Sequence, residues 1–143
     1  MKDLQGSLVI DSSALLEMAY ATESGKTLAA RLLGDHNKAW TTKLALTETF
    51  YIICRNLGEV DAEKKILDLI NSTVVQIYES ESLHIRAGRV KCKRSVSIAD
   101  SYIIASASEL DAKALFARRE KEIIAEIKKN KFERPILFLE DLV

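Results

Sequence analysis

Several features that define other protein classes are scarce in this 143-residue chain. It contains one proline and five glycines, too few for a collagen-like or a low-complexity disordered protein. Its two cysteines, Cys54 and Cys92, lie far apart without metal-ligand spacing, so we expect free thiols in a reducing compartment. No apolar run reaches the roughly 18 residues that span a membrane, and no apolar leader follows Met1. We therefore expect a cytoplasmic, soluble protein with no membrane partner.

An excess of positive charge is also missing, because the formal net charge at pH 7 is zero. A general nucleic-acid coat protein is disfavoured, and any contact with RNA or DNA must use a local basic patch. What is present is a composition that is 48% hydrophobic and 29% charged, which is typical of a folded globular protein. We expect a single domain that spans residues 1–143.

Short segments of strand character alternate with segments of helical periodicity. This alternation predicts an α/β domain with a largely parallel sheet of four or five strands. Helices outnumber strands, so some helices must form an arm or lid. The predicted strands are residues 8–10, 39–42, 74–78, 114–116 and 136–139, and the predicted helices are residues 13–20, 26–33, 44–57, 61–71, 80–94, 97–110 and 120–129. The helix over 44–57 is apolar on almost every side, which predicts that it is buried.

A carboxylate stands where the first predicted strand passes into a helix. The apolar residues 8–10 are followed by Asp11, Ser12 and Ser13, and then by apolar residues at helical spacing. In an open parallel sheet, ligands bind at this end of the strands. Asp11 either caps the helix or holds a cation, and this stretch alone does not decide between the two.

Glu48 lies within the apolar helix, with apolar neighbours one turn before and one turn after it. A carboxylate among such neighbours is costly unless it is paired, protonated or bound to a metal. The alternative is that Glu48 occupies a narrow exposed stripe beside Arg55. The narrowness of that stripe favours the functional interpretation.

Asp100 lies at the start of a helix rich in alanine and serine. Ser97 and Asp100 have the spacing of a capping box, which by itself explains an acid in the first helical turn. The helix that follows is expected to pack on the sheet, which would direct Asp100 toward the strand ends.

Asp11, Glu48 and Asp100 together predict a site for a divalent cation. Mg²⁺ and Mn²⁺ prefer oxygen ligands, and clustered carboxylates repel one another without a cation. The chemistry that follows is metal-assisted hydrolysis of a phosphodiester, in which the ion lowers the pKa of a bound water.

The order of these motifs resembles that of the PIN-domain ribonucleases, in particular the small single-domain VapC-type toxins of bacteria and archaea. Residues 9–13 resemble the opening motif of the family, Thr47–Glu48 the second acid and residues 97–101 the third. The resemblance implies a three-layer α/β/α fold with a parallel sheet and a helical arm. It also implies a Mg²⁺- or Mn²⁺-dependent endoribonuclease, a homodimer and an antitoxin partner.

The chain departs from the family at the fourth acid. A Thr-x-Asp-like motif commonly follows a strand there, whereas here the predicted strand 114–116 leads into a charged run that contains Glu120 and Glu122. Glu120 is the first candidate for the fourth acid and Glu122 the second. Either one also fits an acid in the first turn of a helix, which the helix dipole favours. The side chain of a glutamate is longer than that of the aspartate in the family motif and would hold a second metal ion weakly.

Basic residues form two clusters that are candidates for contact with RNA. One cluster lies between Arg86 and Arg94, without an intervening acid, and the other lies just after the strand 114–116. If they face the acidic pocket, they offer phosphate contacts; otherwise they form a solvated helix face. Ser12, Ser13 and Ser97 would orient carboxylates or water. The candidate substrate-binding residues are Ser12, Ser13, Arg86, Arg89, Arg118 and Arg119.

Two alternative functions come from other classes. A PIN-like fold with a degenerate fourth acid would be an inactive binding module that acts through dimer or protein contacts. A receiver-like domain is disfavoured, because the predicted strand 74–78 ends without an aspartate. An apolar edge that includes Leu28, Leu32 and Leu33 is a candidate surface for a partner.

Overall fold

The fold is built on a five-stranded parallel sheet. The computed structural model describes residues 4–34 and 38–143. The polar run 35–38 predicts a turn; its residues 35–37 lie outside the described residues, and Lys38 begins a strand. The strand order is β3-β2-β1-β4-β5, and every neighbouring pair is parallel. The strands are β1 (Ser7–Ile10), β2 (Lys38–Thr41), β3 (Gln76–Ile77), β4 (Lys113–Phe116) and β5 (Ile136–Phe138).

The central strand β1 creates the switch point of the sheet. Val9 lies opposite Trp40 of β2 on one side and opposite Ala114 of β4 on the other. The chain builds the sheet outward from β1 in one direction through β2 and β3, and then returns to its other side with β4. Because ligands bind at the carboxyl ends of the strands at such a point, the residues after β1 and β4 are placed for function.

In the described residues seven helices connect the strands, and each lies where the sequence predicts one, with ends that differ by up to three residues. The Ala/Ser-rich helix packs against β1, β4 and its preceding helix, and its small side chains permit that close approach. The helices are α1 (Ser12–Ala19), α2 (Glu23–Gly34), α3 (Lys43–Leu57), α4 (Glu59–Asn71), α5 (Leu83–Lys93), α6 (Ile98–Leu110) and α7 (Lys121–Lys129), and a short 3₁₀ turn covers Leu139–Asp141.

The core lies between the sheet and the helices that cover it. Leu8, Ile10, Leu115, Phe116 and Ile103 are fully buried. Burying such a side chain contributes about 1.5–3 kcal/mol to folding, so this cluster fixes the strands from which the functional residues extend. None of the helices in the described residues is both long and apolar enough to cross a membrane.

Helices α3 and α4 form a hairpin that turns at Gly58. This glycine has φ of +95°, a conformation that side chains with a Cβ rarely adopt. The prediction of a buried α3 is wrong over much of its surface, since Tyr51 is 41% exposed and Leu57 48% exposed. The reason is that α3 packs on α1 and α4 along one face and leaves the opposite face to solvent.

Two further expectations need correction. The predicted strand 74–78 is reduced to the edge strand β3, whose two residues are exposed because the strand has a neighbour on one side only. The predicted apolar edge is largely core, because Leu28 and Leu32 are buried and only Leu33 of that trio is exposed.

Candidate active site

Asp11 follows β1 and is the N-cap residue of α1. Its Oδ2 accepts hydrogen bonds from the Ser13 N–H at 3.0 Å and from the Ser13 hydroxyl at 2.8 Å. Its Oδ1 is buried and has no hydrogen-bond partner within the described part of the chain. Because an unpaired buried polar atom is costly, capping explains one oxygen of Asp11 and leaves the other for a different partner.

Glu48 lies in α3, a helix whose start is fixed by the Thr42 hydroxyl, which accepts from the Ala45 N–H at 3.0 Å. The Ser12 hydroxyl donates to Oε1 of Glu48 at 3.0 Å, which joins α1 to α3 at this edge of the sheet. Burial raises the pKa of the Glu48 carboxyl, and the nearby Asp11 raises it further. Arg55, the neighbour that an exposed-stripe interpretation requires, lies over the ring of Tyr51 instead.

Asp100 lies in the first turn of α6, and its N–H donates to the Ser97 hydroxyl at 3.0 Å, as the capping pattern predicts. Its side chain is nevertheless largely withdrawn from solvent, with 9% of the residue exposed. Burial, together with the negative charges of Asp11, Glu120 and Glu48, raises the pKa of Asp100 to about 7. The capping bond involves only the backbone N–H of Asp100. It therefore does not explain why the Asp100 carboxyl is buried together with three other acids.

Glu120 is the N-cap residue of α7, but its side chain makes no capping hydrogen bond. Burial raises the pKa of its carboxyl, with further increases from Asp11, Glu122 and Glu48, while a hydrogen bond with Asp100 opposes them. The structure thus brings Glu120 next to Asp100. Glu122, the second candidate for the fourth acid, also lines the cleft.

These acids line one cleft of about 440 Å³ at the carboxyl end of the sheet. Each of the four comes from a different part of the chain, and Leu16 and Ile52 supply an apolar wall. Among the described residues that line this cleft, none is basic. Burial raises the pKa of all four carboxyls, and for Glu48, Asp100 and Glu120 the negative charges of the neighbouring acids raise it further.

The acidic cleft fits a divalent cation by its chemistry. A buried, unpartnered Oδ1 of Asp11 beside further carboxylates is the hard oxygen donor set that Mg²⁺ and Mn²⁺ prefer. Across residues 4–34 and 38–143, no three acidic, histidine or cysteine side chains stand ready in an arrangement that could hold a metal ion.

The loop that carries Glu120 is fixed by contacts that the sequence does not reveal. The Ala117 N–H donates to the Ser13 hydroxyl at 2.9 Å, across 104 positions of the chain. The Arg119 N–H donates to Glu140 at 2.6 Å, and the Arg119 Nε lies 2.9 Å from Oδ2 of Asp141. No short-range pattern indicates these partners. Ser13 meets Ala117 only when β1 and β4 pair, and Arg119 meets Glu140 and Asp141 only when β4 and β5 pair.

The predicted substrate-binding arginines lie in different places. Arg118 forms an ion pair with Glu17 at 3.6 Å, and Arg119 is engaged with the 3₁₀ turn. Arg86 and Arg89 line a separate cleft between α5, α6 and the segment after α7, and the acidic cleft is not lined by either of them. Ser12 and Ser13 do line the acidic cleft, where each bonds to a carboxylate.

Comparison with solved structures shows the same fold in several proteins. VapC20 of Mycobacterium tuberculosis, a sarcin-ricin loop cleaving toxin, superposes with a TM-score of 0.63 and 20% identity, over 82% of this chain and 94% of that one. The DNA-bound VapBC from Salmonella typhimurium gives a TM-score of 0.68 at 13% identity, over 93% and 98%. VapBC2 from Rickettsia felis, bound to a promoter fragment, gives 0.66 at 14%, over 92% and 96%.

A comparison with curated protein sequences gives no match. The family model of the PIN domain, however, matches residues 8–129, which include Asp11, Glu48, Asp100 and Glu120. The match covers most of the chain, and the parallel five-stranded sheet with its covering helices agrees with it. This chain therefore belongs to the PIN-domain family.

Proposed function

We propose that this protein is a divalent-metal-dependent endoribonuclease and the toxin of a toxin–antitoxin pair. The observation that carries the proposal is the cleft in which Asp11, Glu48, Asp100 and Glu120 meet without a basic residue among its described lining. PIN-domain nucleases use divalent metal ions, and this cleft has the donor atoms for one. Mg²⁺ or Mn²⁺ would polarise the scissile phosphate and supply an activated water.

The protein groups have separable roles in this proposal. Asp11 would be the fixed ligand, because Ser13 holds its Oδ2 in place by two hydrogen bonds, while its buried Oδ1 has no hydrogen-bond partner among the described residues. Ser12 would orient Glu48 through the hydroxyl hydrogen bond at 3.0 Å. Asp100 and Glu120, which lie next to each other, would complete the ligand set.

The direct test is cleavage of single-stranded RNA by the purified protein with added Mn²⁺. We expect cleavage that stops with EDTA and that is lost in Asp100→Asn, while circular dichroism and the melting curve show that this variant is folded. Cleavage that survives both chelation and the substitution would refute the metal mechanism.

A second candidate function is an inactive binding module. Its support is that Glu120 stands where an aspartate is common and that the described carboxylates need rearrangement before they can enclose an ion. Calorimetry separates the two functions, since a metal site takes up Mn²⁺ and raises the melting temperature, whereas a pure binding module shows neither effect.

The homodimer and the antitoxin partner are also part of the proposal. Two of the structurally similar proteins are VapBC assemblies bound to DNA. Light scattering of the purified chain tests the dimer. Co-expression with the protein encoded by the adjacent reading frame tests the antitoxin, for which we expect a stable complex with reduced RNA cleavage.

A further inference from the structure

The acidic cleft lies next to clefts that basic residues of α5 line. Its lining residues Ser97 and Glu122 also line a second, open cleft of about 500 Å³ at the turn between α5 and α6. That cleft in turn shares Lys93 and Arg94 with a third cleft of about 230 Å³, which is the one lined by Arg86 and Arg89. We call the second and third clefts the α5 track; they adjoin each other, and the second adjoins the acidic cleft.

The basic residues of the α5 track differ in whether protein groups already use them. Arg86 forms an ion pair with Glu109 at 3.1 Å, and that carboxylate also accepts the Tyr78 hydroxyl at 2.7 Å. Lys91 donates to the carbonyl of Val96 at 2.7 Å, which holds the α5–α6 turn. Both cations already bind protein groups. Replacing either one would therefore remove a contact within the protein as well as any contact with a ligand.

Arg94 is committed in the same way. Its guanidinium donates to the carbonyls of Asn130 and Lys131 at 2.6 and 2.8 Å and lies 3.9 Å from the ring centre of Phe132. Arg94 also lines the third cleft. Because these contacts hold its guanidinium in place, Arg94 is not available as a phosphate ligand.

Arg89 and Lys93 are the two exposed cations on the track that have no recorded partner in the described part of the chain. They stand four residues apart on α5, about 6 Å along the helix axis, and so share one face. Helix α5 contains no acidic residue, so the repulsion between them is not offset within the helix. A negatively charged ligand on this face would relieve that repulsion.

We propose that the RNA strand leaves the acidic cleft across the α5–α6 turn and that Arg89 and Lys93 contact its phosphates. This inference rests on the proposed ribonuclease function. An extended polyanion fits the track because five cations and two acids line it: Arg86, Arg89, Lys91, Lys93 and Arg94 against Glu122 and Glu133. RNA is favoured over an acidic peptide because the track leads into a carboxylate-lined cleft, which repels peptide acids but accepts a phosphate together with a divalent ion.

The test measures binding of a fluorescently labelled 12-nucleotide single-stranded RNA in EDTA, where metal-dependent cleavage does not occur. Each phosphate contact contributes about 0.7 to the slope of log Kd against log salt concentration for a single strand. We therefore expect Arg89→Ala/Lys93→Ala to lower that slope by about 1.4. The matched control is Lys26→Ala/Lys64→Ala, which removes two exposed lysines from α2 and α4 and should leave the slope unchanged.

An unchanged slope in the Arg89/Lys93 variant, or an equal fall in the control, would overturn the proposal. A labelled polyglutamate peptide that loses affinity in the variant while RNA does not would overturn it in favour of a protein partner. If the wild-type protein cleaves no RNA with any divalent ion but the slope still falls as expected, the strand path stands and the nuclease function fails. All variants should have the wild-type melting temperature, because Arg89 and Lys93 are exposed.

Discussion

The hydroxyl of Ser13 lies 2.8 Å from Oδ2 of Asp11 and donates to it. The same hydroxyl accepts the Ala117 N–H at 2.9 Å, at the end of β4. One side chain therefore sets both the position of the first acid and the start of the loop that carries Glu120. The Ser13 hydroxyl therefore connects the N-terminus of α1 to the loop after β4, and both carry acids of the cleft.

Ser13→Ala should destabilise the protein more than Ser12→Ala does. The Ser13 change leaves the Ala117 N–H without its acceptor, a loss of about 1–3 kcal/mol for a buried group, whereas the Ser12 change removes a single bond to a half-buried carboxylate. Urea denaturation measures both free energies of unfolding. Equal losses of unfolding free energy would show that the hydrogen bond between Ser13 and Ala117 contributes no more stability than the one between Ser12 and Glu48.

The metal-free protein should become less stable as the pH rises from about 4 to about 7. The pKa of Asp100 is about 7 in the fold, against an ordinary value of 3.8, so between these values the folded state binds a proton that the unfolded chain has released. The stabilisation is complete below the unfolded pKa and is lost as the pH passes the folded one. Melting temperatures in EDTA from pH 4 to pH 8 measure the decline.

Asp100→Asn is the control for this pH dependence. It removes the titrating carboxyl and one negative charge, so its melting temperature should decline less with pH and exceed that of the wild type at pH 8. Added Mn²⁺ should raise the melting temperature of the wild type and have a smaller effect on the variant. Parallel pH curves for the two proteins would assign the titration to other groups.

Arg119→Ala should weaken Mn²⁺ binding, while Arg118→Ala should not. The Arg119 side chain holds the loop before Glu120 against Asp141, whereas Arg118 pairs with Glu17 on α1. Both side chains are exposed, so neither change should cost more than about 1 kcal/mol of stability. Calorimetric titration with Mn²⁺ measures the affinity. A fall in the salt dependence of RNA binding without a change in Mn²⁺ affinity would instead make Arg119 a phosphate contact.

Glu120→Gln should lower Mn²⁺ affinity by about tenfold or more, and Glu120→Asp should retain most of it. The glutamine keeps the size of the side chain but removes the charge that a cation requires, whereas the aspartate keeps the charge on a shorter side chain. Glu122→Gln is the matched comparison, because Glu122 lines the same cleft from the first turn of α7. A larger loss in Glu122→Gln would identify that residue as the fourth acid.

The grouping of Asp11, Glu48 and Asp100 could be expected from the sequence, because each lies at a recognisable point of a local element. Asp11 follows an apolar strand, Asp100 follows a capping serine, and Glu48 interrupts an apolar helix. The free Oδ1 of Asp11 could not be expected, since the absence of a partner depends on every element that packs around it.

The basic residues show the opposite case. The pattern from Arg86 to Arg94 indicates a charged helix, but not that Arg86 and Arg94 are used by Glu109 and by the carbonyls after α7. Likewise, the apolar composition of α3 indicates a helix but not which face is covered. These outcomes depend on contacts between residues far apart in the chain.

The sequence by itself determined the alternation of strands and helices, the positions of the helices to within about three residues and the acids at their starts, because periodicity and capping are local interactions within a few residues. The tertiary structure alone decided which cations are free, which apolar side chains face solvent and how Ser13 joins Asp11 to the loop before Glu120. Those features arise when parallel strands pair in the order β3-β2-β1-β4-β5, which brings together groups that are up to about a hundred residues apart.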